Sequence, residues 1–132
     1  MENHKRTNIK SGAPWEPLVG YSRAVRVGNF IAVSGSAAIG DDGELVGEGD
    51  MYLQAVRCVD VIRNALHEAG AEMRHVIRTR IFVTDISLWE DVARAHQEGF
   101  GASPPATSMV EVTQLIDPRM LVEIEANAVV DD

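Results

Sequence analysis

Met120-Leu-Val-Glu-Ile-Glu-Ala-Asn-Ala-Val-Val130 decides the fold. Successive side chains of a strand point to opposite faces. Met120, Val122, Ile124, Ala126, Ala128 and Val130 therefore share one face, and Leu121, Glu123, Glu125, Asn127 and Val129 share the other. The first face is wholly apolar and must be covered. The second places two carboxylates in mid-strand between apolar neighbours.

Two stretches have the spacing to cover the apolar face. After a candidate cap at Asp50, apolar residues recur at helical spacing as Tyr52, Ala55, Val56, Val59, Ile62, Leu66 and Ala69, with Cys58 and Ala65 widening the stripe and Gly70 as the stop. Ser87-Leu-Trp-Glu90 has the form of a capping box and opens a second helix to about Phe100, with Trp89, Val92, Ala93, His96 and Phe100 on one face and Pro104-Pro105 beyond it. Tyr21–Val27 and Phe30–Ser34, joined by Gly28-Asn29, read as a hairpin. Val76–Thr84 and Thr107–Thr113 read as strands, and Arg6–Lys10 as a short edge strand in an otherwise polar, Pro- and Gly-containing lead. The pattern predicts an α+β domain spanning residues 1–132, with two helices packed on one sheet face. The mixed opposite face is either solvated or closed in a symmetric oligomer.

Composition narrows the function. The 132 residues suit one domain, and a formal net charge of −8 works against a nucleic-acid partner. No apolar run approaches the roughly 20 residues of a membrane span, and the start of the chain is polar, so a soluble cytoplasmic protein is expected. The single cysteine, Cys58, excludes an internal disulfide and reads as a core residue.

Among the residues that could carry chemistry, Glu123 and Glu125 stand about 7 Å apart on one strand face. They read first as solvated or ion-paired carboxylates, with Arg78 and Arg80 as possible partners, and second as a general acid/base pair. None of the four histidines, His4, His67, His75 and His96, has a His-x-x-x-His spacing, so no metal is expected. His67 and His75 read as surface residues near a helix end. His96 reads first as a satisfied half-buried side chain and second as a pocket-lining group. Ser34-Gly35-Ser36 lacks the Gly-x-Ser-x-Gly elbow of a serine nucleophile, and Gly35 reads as a strand-end feature. Tyr21 is either an aromatic at a strand start or a phenol at a pocket rim.

Four segments in order carry a resemblance to a known family: Gly20-Tyr21 through Ser34-Gly35; Glu68-Ala-Gly70-Ala with Val76–Asp85; Pro105-Ala-Thr-Ser-Met-Val-Glu-Val112; and Val122-Glu-Ile-Glu-Ala126. Together, over about residues 6–130, the chain resembles the RidA family, also called YjgF. The resemblance implies a chorismate-mutase-like fold with a mixed sheet, a homotrimeric barrel with helices outside, and small-molecule ligands in clefts between subunits. It also implies cofactor-free hydrolysis of reactive enamines and imines to 2-oxo acids and ammonia. By the same resemblance Glu123 positions the hydrolytic water, while Tyr21 and Ser34 line the cleft. Thr107 and Met109 lie in the signature segment, and with His96 they are expected to set substrate binding.

The chain departs from the family at Thr107, where active deaminases carry an arginine that grips the substrate carboxylate. A threonine offers one neutral hydroxyl instead of a charged fork. That difference is worth about thirtyfold or more in affinity. Ser36 replaces the family's usual glutamine, and Ala93 a cleft asparagine. The sequence therefore points first to a deaminase-type hydrolase of altered specificity and second to a non-catalytic metabolite-binding trimer. An endoribonuclease or translation inhibitor ranks last.

Overall fold

The computed structural model describes residues 5–131, so His4 lies outside the described residues. In chain order the elements are β1 (Arg6–Ile9), α1 (Trp15–Val19), β2 (Ala24–Val27), β3 (Phe30–Ser36), α2 (Met51–Glu68), β4 (Val76–Val83), α3 (Trp89–Phe100), β5 (Ala106–Glu111) and β6 (Val122–Val129). The strands form one sheet in the order β1-β2-β3-β6-β4-β5. The β4–β5 pair is parallel and the other pairs are antiparallel, so the sheet is mixed. The parallel pair requires a crossover, which α3 supplies.

The alternation along the last strand holds throughout. Val122, Ile124, Ala126 and Ala128 are buried, and Glu123, Glu125 and Asn127 between them are half-buried on the opposite face. Helix α2 lies across β3 and β6 and against α3. Its stripe of Ala55, Cys58, Val59, Ile62, Ala65 and Leu66 is buried, because a 3.6-residue period keeps those positions facing the sheet. The Asp50 side chain caps it, accepting from the Leu53 N–H at 3.0 Å. The α+β sandwich with two helices on one sheet face is therefore present.

Four local expectations are corrected. The lead contains α1, and the following strand begins at Ala24, not Tyr21. Gly20, in the left-handed conformation at φ 89°, closes α1 by donating to the Glu16 carbonyl at 2.8 Å, and Tyr21 N–H donates to the same oxygen. The backbone around Tyr21 thus belongs to a helix end. The Ser87 capping box does not form. Asp85 accepts from both the Ser87 N–H, at 3.0 Å, and its hydroxyl, at 2.6 Å. This tight local turn occupies the hydroxyl that would have capped α3. His75 is buried, not at the surface: Nδ1 accepts from the Glu72 N–H at 3.0 Å, closing a short 3₁₀ turn over Met73–His75. The strand expected from Thr107 spans Ala106–Glu111 and stops before Thr113.

Candidate functional site

The site begins at an irregularity in β3. Its register with β6 shifts between Val33 and Ser36, which re-aims Ser34 and Gly35. Ser34 is anchored by its N–H to the Arg23 carbonyl, at 2.9 Å, and by its hydroxyl, which donates to the Ser22 carbonyl at 2.6 Å. Gly35 is required by a close approach: a Cβ there would overlap Glu123 Oε2 and stand 2.8 Å from Glu123 Cδ. The missing side chain is the space that the Glu123 carboxyl occupies.

The two glutamates separate in the structure. Register sets Arg80 opposite Glu125 and Phe82 opposite Glu123. Arg80 Nη1 lies 3.3 Å from Glu125 and 3.4 Å from the Asn127 side-chain oxygen, so Glu125 is ion-paired. Arg78 turns to the Ser108 hydroxyl at 3.0 Å. Among the described residues Glu123 has no cation within ion-pair distance. Burial pushes its carboxyl above the usual carboxylate range, the Arg23 charge acts against that shift, and the Glu125 charge adds to it.

Tyr21, Arg23, Ser34, Gly35 and Glu123 line one open cleft of about 1020 Å³, which Trp15 of α1 also borders. A second hollow of about 660 Å³ on the helix-free face shares Lys10, Tyr21, Ser34 and Glu125 with it. The Arg23 guanidinium lies 5.8 Å from the centre of the Tyr21 ring. Arg23 went unnoticed in the sequence. The signal that could have revealed it is the pairing of a cation in the segment Tyr21-Ser-Arg23 with the small hydroxyl of Ser36, which accepts from Arg23 Nη1 at 3.2 Å.

Thr107, Met109 and His96 are gathered elsewhere. Thr107 is opposite Thr79, and Thr79 is opposite the core-facing Ala126, so Thr107 lies on the helix side of the sheet. Glu123 lies on the other face. Thr107 Oγ1 is 2.7 Å from Thr79 Oγ1, which is 2.9 Å from His96 Nε2, and the Thr107 hydroxyl also reaches the Pro105 carbonyl at 3.3 Å. His96 rests on the Phe100 ring with centroids 4.7 Å apart, and burial lowers its pKa. It is therefore a satisfied, half-buried histidine, as its position on the helix stripe suggested first. Met109 packs against the core beside this chain. Within one chain, then, Tyr21, Ser34 and Glu123 share a cleft that Thr107, Met109 and His96 do not line.

Cys58 is fully buried, its sulfur 3.6 Å from the Val122 carbonyl, and burial pushes its thiol pKa far up, as suits a core residue. No three His, Cys, Asp or Glu side chains gather as a metal site among the described residues, and no helix there is long and apolar enough to cross a membrane.

Comparison with known proteins agrees with the fold and the motifs. The family profile described as Endoribonuclease L-PSP matches residues 11–130. The crystal structure of a YjgF/YER057c/UK114 family member from Mycobacterium tuberculosis is 48% identical, covers 96% of this chain and 100% of its own, and superposes with a TM-score of 0.87. A RutC family protein of Pyrococcus abyssi is 37% identical over 86% of this chain and 88% of its own length. The 3-aminoacrylate deaminase RutC of Acinetobacter baylyi is 29% identical over 94% of this chain and 97% of its own. With the profile spanning most of the chain and the YjgF-type fold in place, the protein belongs to the Endoribonuclease L-PSP family, the RidA/YjgF family of the resemblance.

Proposed function

We propose that this protein is a cofactor-free, cytoplasmic hydrolase of a small reactive imine or enamine, working as a homotrimer. The observation that carries the reading is Glu123: a half-buried carboxylate without an ion-pair partner among the described residues, facing a cleft it shares with Tyr21 and Ser34. A carboxylate in that setting can hold a water and take its proton. An enamine first takes a proton on the carbon β to nitrogen and becomes the imine. The water oxygen then bonds to the C=N carbon while the π pair and a proton go to nitrogen, giving a carbinolamine. The C–N bond then breaks with proton return to nitrogen, releasing ammonia and leaving a carbonyl. The deaminase named among the relatives acts on an enamine of this chemical kind.

Thr107 alters the specificity, since it brings no charge to the position where the resemblance implies an arginine in active deaminases. In a single chain it lies across the sheet from Glu123. The homotrimer that the resemblance implies would bring the edge strand of one copy to the cleft of the next. A phosphate backbone is a poor ligand for a chain of net charge −8.

The test is ammonia release from 3-aminoacrylate and from 2-imino acids formed in situ by an amino-acid oxidase. Release faster than in buffer supports the hydrolase. Thermal stabilisation by the corresponding 2-oxo acids with no acceleration would favour the metabolite-binding module.

A further inference from the structure

The cleft holds a cation that no described carboxylate neutralises. Arg23 is 8% exposed and lines the cleft with Tyr21, Ser34 and Glu123. A guanidinium carries five N–H donors in a fixed fork. Among the described residues that fork makes one hydrogen bond, from Nη1 to Ser36 Oγ, and its buried Nε–H has no partner. No described carboxylate stands within ion-pair distance. Glu123, the anion whose titration Arg23 influences, lines the same cleft but remains beyond direct contact. Ser36 in turn donates to the Ser34 carbonyl at 2.9 Å, so the guanidinium is seated from behind by a fixed acceptor.

A permanent charge removed from water without a counter-ion is costly. The same low-dielectric setting strengthens its attraction for an anion that arrives in the cleft. Arg23 and Glu123 line the same cleft, so one molecule with an anionic end and a reactive carbon could meet both. We infer that Arg23 is the carboxylate-binding group of this cleft, taking the role that the uncharged Thr107 side chain does not fill. This deepens the hydrolase reading and rests on it for the choice of cleft. The departure at Ser36 acquires a reason here: a short hydroxyl leaves room for the guanidinium and accepts from it.

The probe is 2-oxobutanoate, titrated into the intact protein by calorimetry and followed by the Arg23 ¹⁵Nε resonance. Arg23→Gln is expected to weaken binding by about thirtyfold or more, and Arg23→Lys by less, since it keeps the charge without the fork. Arg74→Gln, which removes an exposed arginine elsewhere, is expected to bind like the wild type. The Nε resonance of the wild type is expected to move on titration, a readout that stands even where Arg23→Gln does not fold. A folded Arg23→Gln variant binding within about threefold of wild type, no binding by the wild type, or a stationary Nε resonance would each overturn the inference. Charge-dependent binding without imine turnover would sink the hydrolase reading alone. Equal turnover by wild type and Arg23→Gln would sink the role of Arg23 alone.

Discussion

Glu123 and Glu125 look alike in the sequence, two carboxylates alternating on one strand face, and they differ through their neighbours across β4. Arg80 ties up Glu125, whereas Phe82 stands opposite Glu123 and no described cation pairs with it. Register between distant strands makes that distinction, and no local pattern states it. The same holds for Gly35, whose lack of a side chain matters only because Glu123 of β6 lies over it. Gly35→Ala is therefore expected to displace the carboxyl and lower kcat on any substrate that the wild type turns over. Fold and melting temperature should change little, because the displaced group is the far end of a flexible side chain. Steady-state kinetics with circular dichroism checks this. The raised pKa of Glu123 means that folding favours its protonated form. Its ionisation therefore costs stability, a cost that sets in as pH rises above the ordinary carboxylate value and is complete once pH has passed the raised one. Glu123→Gln should accordingly melt higher than wild type at neutral pH, with the gap closing as pH falls to the usual carboxylate range.

At the scale of elements, the periodic segments were legible and the capped turns were not. Helix α2 and strand β6 announce themselves through repeats of 3.6 and 2 residues. Helix α1 is five residues long, too short to show a period, although Pro14, Pro17 and Gly20 punctuate it. The chain Thr107–Thr79–His96 joins β5, β4 and α3, and only the parallel β4–β5 register brings its members together. Thr79→Val keeps the shape but removes the partner of His96 Nε2, and is expected to cost about 1–3 kcal/mol in urea unfolding. His96 is held below its ordinary pKa of 6.5 by burial, so the unfolded chain takes up its proton first. Stability should therefore fall as pH drops below about 6.5, and His96→Phe should flatten that slope in melting curves taken between about pH 7.5 and 5.

For the whole molecule, the mixed face of the sheet sets the problem. Exposed Phe30 and Val129 pair across β3 and β6 on it, beside half-buried Ala32 and Asn127. Its composition was legible, and so was the need for a partner or for water. The geometry that makes Thr107 and Glu123 answer to different faces was not. Sedimentation is expected to give three times the 14.4 kDa chain mass. A monomer active in solution would detach the chemistry from any cleft between copies.

The comparison that bears most directly on the account is the rate of ammonia release from 3-aminoacrylate by wild type and by Glu123→Gln, both verified as folded. The account predicts a wild-type rate clearly above buffer and a loss of about a hundredfold or more in the variant. A wild-type rate equal to buffer, or a Glu123→Gln rate equal to wild type, would contradict it.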